Sequence, residues 1–181
     1  MNIDLPITIG AALVGQPAPP LQAIKGWKNS PPLTLEELRG KVVLLEFWGH
    51  WCGPCVASMP ELMKLYDEFK GQGLEVIAVH DDSAESIAEM DQKLTNTRKT
   101  LWSGRDLPFP VALDGGGESR VPYTSGTRRG KTNAAYGINE YPTTIAIGRD
   151  GRIIGSFELR SDDARERVMK LLAAEPPVGA P

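Results

Sequence analysis

The stretch KVVLLEFW (41–48) is an apolar run of β-formers broken by one acid, and it leads directly into GHWCGPC. So continuous a run is the pattern of a strand covered on both faces rather than of a strand with one wet side. The residues after the cysteines, VASMPELMKLYDEFKGQG (56–73), change period. Met59, Leu62, Leu65, Tyr66 and Phe69 recur at helical spacing, and Gly71 supplies a stop. Pro60 falls inside this helix and is expected to kink it. LEVIAVHDD (74–82) then reads as a second buried strand. A strand, a helix and a further strand imply a sheet with helices packed over it, and the chain must bury that sheet on both sides.

The rest of the chain extends the same plan. Residues 17–32 are proline-rich and read as an irregular lead-in with a short strand at 21–24. LTLEELRGK (33–41) reads as a short helical turn, because Thr34 and Glu37 stand at capping-box spacing. SAESIAEMDQKLTNTRKTL (83–101) reads as one polar helix with Ile87, Met90 and Leu94 as its apolar stripe, and FPVALD (109–114) as a third strand. GGGESRVPYTSGTRRGKT (115–132) has loop composition and no periodicity, and NAAYGI (133–138) looks like a short helix. TTIAIGRDGRIIGSFE (143–158) reads as a hairpin turned at Asp150-Gly151, and DDARERVMKLLAAE (162–175) as an amphipathic helix with Val168, Leu171 and Leu172 on one face. The expected fold class is therefore α/β, a central mixed sheet flanked by helices on both faces. The expected divisions are a lead-in at 1–13, one domain at 14–174 and a mobile tail at 175–181.

Composition narrows the partners. A chain of 181 residues with net charge −3 offers no general basic face for nucleic acid. No apolar run approaches the roughly 18 residues of a membrane span. The N-terminus has no basic residue ahead of its short apolar stretch, so as written it is not a signal peptide. Either the protein is cytoplasmic, or an export signal or anchor has been removed.

Two cysteines, Cys52 and Cys55, cannot support a multi-disulfide scaffold. Spaced three apart they can clamp a metal, form a static crosslink or exchange electrons. A crosslink closing so small a loop removes little unfolded-state entropy. A structural zinc needs four ligands, and only His50 and His80 are available to join the two thiolates. Cys52 lies where the strand ends and the helix begins, so the helix N-terminus favours its thiolate and can draw its pKa from about 8.5 to about 7 or lower. Pro54 fits the first helical turn. Cys55, one turn on, should be more buried and less ionised. That asymmetry separates an attacking sulfur from a resolving one.

EFWGHWCGPC, the later YPTT and the order of elements resemble the thioredoxin superfamily, and within it the thiol-disulfide oxidoreductases of the TlpA/ResA type. The lead-in VGQPAPPLQ, the approach LTLEELRGKVVLLEFW, and the extra helix and strand before YPTT carry the narrower likeness. The resemblance implies a thioredoxin-like fold with a helix-strand insertion before a cis-proline, Pro142. It makes Cys52 the nucleophile and Cys55 the resolving thiol. Trp51, Gly53 and Pro54 would form the rim that meets substrate, with Tyr141, Pro142 and Thr143 opposite them. It implies no cofactor beyond the cysteine pair and no metal. Its partners would be protein disulfide substrates and an upstream electron donor, and the protein a monomer in an extracytoplasmic setting, without membrane insertion of this segment. The Gly-Pro between the cysteines implies a reducing bias.

Glu46 falls where thioredoxins carry a buried acid, whereas TlpA-like sequences usually have a neutral residue there. A buried unpaired carboxylate is costly, so Glu46 is expected either to relay protons to Cys55 or to pair with Lys41 or Lys64. His50 reads as an exposed turn residue or as a partly cationic neighbour of Cys52, and His80 as a polar strand terminus. The basic loop with Arg120, Arg128, Arg129 and Lys131 reads as a solvated insertion or as a docking surface for an acidic partner. Two other functions fit a CxxC chain. A peroxiredoxin-like peroxidase would need a Thr-x-x-Cys setting, which is absent, and a copper carrier would bind metal through the two thiolates.

Overall fold

A computed structural model describes residues 12–175. Most of the expected lead-in at 1–13, and all but Glu175 of the expected tail at 175–181, lie outside the described residues.

The strands are β1 (Gly26–Lys28), β2 (Val42–Trp48), β3 (Leu74–His80), β4 (Val111–Leu113), β5 (Glu118–Arg120), β6 (Thr127–Arg129), β7 (Thr143–Ile147) and β8 (Ile153–Ser156). Helix α1 is Gly53–Phe69, α2 Ile87–Lys93, α3 Thr95–Thr100, α4 Lys131–Ala135 and α5 Ala164–Ala173. Six strands form one sheet in the order β1-β4-β3-β2-β7-β8. β2 pairs parallel to β3 and antiparallel to β7, so the sheet is mixed and β2 lies inside it. Every residue of β2 is buried, which is what its continuous apolar run requires.

Alternation along β2 and β3 sorts the core into two layers. Val42, Leu44 and Trp48, with Leu74, Val76 and Ala78, pack on the face that carries α1, both cysteines and Val168 of α5. Val43, Leu45 and Phe47, with Ile77 and Val79, pack on the other face against Tyr136, Ile138 and the lead-in residues Leu21, Ile24 and Trp27. By the same alternation Glu46 and His80 share the cysteine-bearing face.

Pro60 does lie within α1. It has no N–H to give the carbonyl of Val56, four residues earlier. The Trp102 indole takes that place, donating Nε1–H to the Val56 carbonyl at 2.7 Å.

Three expectations need correction. No strand forms at 21–24. Ala23 adopts φ 51°, which turns the chain there, and the first strand begins at Gly26 while Leu21 and Ile24 cover the core. As expected, Thr34 and Glu37 exchange capping-box bonds and the segment is a short turn, which Gly40, at φ 94°, closes just before β2. The polar helix at 83–101 is two helices broken at Leu94, whose buried side chain joins the core. Residues 115–131 are not a structureless loop: β5 and β6 pair as an antiparallel hairpin in a separate two-stranded sheet. Its strand residues are largely exposed on both faces, so no apolar alternation announces them.

Candidate active site

Cys52 is the N-cap of α1, with extended backbone angles, and Pro54 sits in the first turn. The two sulfurs form a disulfide across a Cα–Cα distance of 5.2 Å. Cys52 Sγ also accepts the Cys55 backbone N–H at 3.2 Å. The first turn of α1 holds no acidic residue to offset the helix dipole. Cys52 retains 5% of its surface and Cys55 none, the asymmetry expected of the pair.

The approach to Cys52 is fastened to the end of β3. The His50 backbone N–H donates to His80 Nε2 at 3.0 Å, and Trp51 Nε1–H donates to Asp81 Oδ2 at 2.9 Å. The Trp51 ring folds over Gly49, where an added Cβ would lie 2.4 Å from Nε1. Trp51 stays 54% exposed and meets Tyr141 edge-on at 5.6 Å. Gly53 and Pro54 beside it are exposed.

Tyr141-Pro142 is a cis peptide. Tyr141 packs against the core cluster that contains both cysteines, which brings the Pro142 segment beside the disulfide. Its hydroxyl donates to Asn133 Oδ1 at 2.6 Å, and Asn133 donates through its side chain and backbone to the buried Asp114. Burial raises both the Asp114 carboxyl and the Tyr141 phenol above their ordinary ranges. Thr143 is half-buried and donates its hydroxyl to the Glu140 carbonyl.

Glu46 is fully buried and pairs in register with Thr144 across β2 and β7. The Thr144 hydroxyl donates to Glu46 Oε2, while Oε1 has no hydrogen-bond partner among the described residues. Burial pushes the carboxyl up to about 7, Thr144 opposes the rise, and the Glu158 charge adds to it. Neither Lys41 nor Lys64 pairs with Glu46; Lys64 bonds Glu61 instead. Thr144 also lines a cleft of about 430 Å³ with Ser58, Pro142, Phe157, Glu158 and Arg160.

The histidines depart from expectation. His80 is no ordinary strand terminus. It is fully buried against Trp48, its Nδ1 faces the Asp81 carbonyl at 2.8 Å, and its Nε2 accepts from His50. A carbonyl can only accept, so the proton sits on Nδ1 and the ring is neutral. Burial pulls its pKa down to about 4. His50 stacks on His80 at 5.1 Å, and burial together with the Lys93 ammonium holds it below the ordinary imidazole range. Both effects work against a cationic His50 beside Cys52. Among the described residues no group of three or more His, Cys, Asp or Glu side chains is placed to hold a metal ion.

The sequence reading missed Thr144, Asp114 and Asn133. The one signal available for Asp114 was an acid closing an apolar strand ahead of three glycines.

A family model described as the AhpC/TSA family matches residues 14–156. The chain belongs to that family. The ResA thiol-disulfide oxidoreductase of Bacillus thuringiensis subsp. konkukian is 34% identical over 140 residues, covering 77% of this chain and 66% of the relative. ResA of Halalkalibacterium halodurans is 39% identical over 124 residues, covering 67% of this chain and 56% of the relative. The thioredoxin-like protein YneN of Bacillus subtilis is 34% identical over 159 residues, covering 87% and 78%. The chain thus spans two thirds or less of the length of these ResA proteins. Among solved structures, a thioredoxin-like superfamily protein aligns with a TM-score of 0.67 at 25% identity, covering 89% of this chain and 99% of the other. A thiol-disulfide isomerase from Corynebacterium glutamicum aligns at 0.63 with 26% identity, covering 87% and 98%. The AhpC/TSA chain is thus a TlpA/ResA-like member of the thioredoxin superfamily, with a thioredoxin-like fold.

Proposed function

We propose that this chain is a thiol-disulfide oxidoreductase that reduces disulfides of protein substrates through Cys52 and Cys55. The observation that carries the reading is the cysteine pair at the start of α1, with Cys52 Sγ accepting a helix N–H and Cys55 sealed behind it. In the dithiol form the same N–H and the helix dipole favour negative charge on Cys52.

The Cys52 thiolate attacks one substrate sulfur. The substrate S–S bond breaks, its other sulfur leaves as a thiolate, and a Cys52–substrate disulfide forms. Cys55 then loses its proton and attacks Cys52 Sγ, releasing the second substrate thiolate. Two electrons have passed to the substrate, and the protein is left with the Cys52–Cys55 disulfide for an upstream donor to reduce. Glu46, on the same sheet face as the cysteines and with a pKa near neutrality, accepts the Cys55 proton, directly or through water. Trp51, Gly53 and Pro54 form one rim of the substrate site, and Tyr141, Pro142 and Thr143 the other. The cysteine pair is itself the redox carrier, so the reading needs no separate cofactor. The reducing direction rests on the Gly-Pro between the cysteines. We place the protein, on family resemblance, in an extracytoplasmic compartment and as a monomer. Among the described residues no helix is long and apolar enough to cross a membrane.

A peroxidase reading finds Gly49 where a threonine would stand, and the Trp51 indole fills the space such a side chain needs. The test is reduction of insulin disulfides by the protein with dithiothreitol as donor, beside peroxide consumption without a disulfide partner. Accelerated insulin reduction supports the proposal. Peroxide turnover, or stoichiometric copper binding without insulin reduction, overturns it.

A further inference from the structure

We propose that the β5–β6 hairpin is a docking wall for an acidic segment of the protein substrate, held beside the dithiol. This rests on the oxidoreductase reading and adds a class of substrate to it.

Packing engages the hairpin through Val121, buried against Ala134, but leaves its strands largely exposed. The hairpin forms its own small sheet, and its tip carries Tyr123 at 95% exposure. Yet it is firmly mounted. Gly130 and Lys131 donate their N–H groups back to the carbonyls of Gly117 and Gly115. Gly130 has φ 92°, and a Cβ there would lie 2.2 Å from Asp114 Oδ2, so only glycine fits the base. Asp114 also accepts the N–H groups of Gly115, Thr132 and Asn133, and Asn133 in turn holds the Tyr141 hydroxyl. One buried carboxylate therefore anchors both the hairpin and the residue before Pro142.

Its charge is opposite to that of the chain. Residues 118–131 hold four cations, Arg120, Arg128, Arg129 and Lys131, against the single acid Glu118, a net of +3 where the whole chain carries −3. These cations are poorly neutralised. Arg128 donates Nε–H to the Ile138 carbonyl at 2.9 Å and Nη1–H to the Thr127 carbonyl at 2.8 Å, which fixes its guanidinium without cancelling its charge. Arg129 reaches Asp82 only at 3.6 Å, and Asp82 is already held by Lys25 at 2.5 Å and by the Gly117 N–H. Arg120 and Lys131 form no ion pair among the described residues.

Position ties this charge to the cysteines. Arg128 and Arg129 line a cleft of about 400 Å³ with Tyr141, Asp81, Asp82 and Glu85. Tyr141 and Asp81 are the two residues that hold Trp51, so the cleft opens at the rim of the disulfide. On the far wall Asp81 is engaged by Trp51 and Ser83, and Asp82 by Lys25. Glu85 makes no side-chain bond or ion pair among the described residues, and it repels an acid placed against that wall. A substrate carboxylate therefore belongs on the hairpin side, where a pre-oriented guanidinium offers a charge-assisted bond at little entropic cost.

The experiment compares two synthetic peptides that contain the same disulfide, one flanked by aspartates and one by serines. Single-turnover reduction by the dithiol protein is followed at low and at high salt. Wild type should reduce the acidic peptide about tenfold faster at low salt and lose the preference at high salt. The doubly substituted Arg128→Gln, Arg129→Gln protein should lose it at low salt while reducing the serine peptide as fast as wild type. Arg129→Glu should favour a lysine-flanked peptide. An active wild type with no preference, or a preference that survives both substitutions, overturns the docking wall alone. Failure to reduce either peptide overturns the oxidoreductase reading and the docking wall with it.

Discussion

Glu46 on β2 and His80 on β3 are both fully buried, titratable and on the sheet face that carries the cysteines, yet the fold treats them oppositely. His80 has a partner on each ring nitrogen and stays neutral, with its pKa drawn down to about 4. Glu46 has a partner on one oxygen only, and its pKa rises to about 7. A buried polar group whose bonds are complete serves the architecture; here it pins the loop ahead of Cys52. One left incomplete sits near the midpoint of its titration and can take up or release a proton at little cost.

The comparison has chemical meaning only if the sulfurs above these residues exchange electrons, and that test carries the largest effect. Cys52→Ser should reduce insulin no faster than the uncatalysed reaction. Cys55→Ser should accumulate a covalent mixed disulfide, visible by mass spectrometry. Full turnover by Cys55→Ser would reverse the assigned roles. Next, Glu46→Gln should slow the resolving step by about ten- to hundredfold near pH 7 while leaving the first attack within about twofold. His80→Gln should leave the ratio of the two steps unchanged. Stopped-flow Trp fluorescence separates them, and a His80 effect confined to resolution would break the contrast.

Stability against pH should separate the two groups by sign. The raised Glu46 pKa means the folded state binds the extra proton between about 4.5 and 7. Its stabilising contribution is therefore present at low pH and lost as pH rises through that window. Glu46→Gln should thus be more stable than wild type above pH 7, by on the order of 3 kcal/mol, with the gain fading toward pH 4.5. The depressed His80 pKa works the other way. Stability is lost as pH falls from about 6.5 toward 4, and His80→Gln should flatten that limb. Urea midpoints across the pH range check both. The smallest effect concerns another completed polar group. Trp102→Phe removes the N–H that serves the Val56 carbonyl and should cost about 1 kcal/mol in urea unfolding without altering either chemical step.

The parts legible in the sequence were those with a local signature. β2 and β3 declared themselves because burial on both faces leaves a continuous apolar run, and Cys52 and Cys55 because spacing and the strand-to-helix junction put them on one turn. Pro142 was legible only through resemblance, since nothing local distinguishes a cis from a trans prolyl bond. Partners set by tertiary contact were invisible: Thr144 meets Glu46 across the β2–β7 register and 98 residues of chain, and Asp114 reaches Asn133 across 19. The two readings of His50 could not be separated in the sequence because His80, against which it stacks, stands 30 positions away. The hairpin at 118–129 was hidden for the opposite reason from the core strands, since exposure on both faces removes any pattern.

The central claim is that the start of α1 ionises Cys52 in the dithiol protein. Thiolate absorbance, or the rate of alkylation by iodoacetamide, followed against pH in Cys55→Ser, measures it most directly. A midpoint near 7 or below is the predicted result, and a midpoint at the free-cysteine value of about 8.5 or above would contradict it.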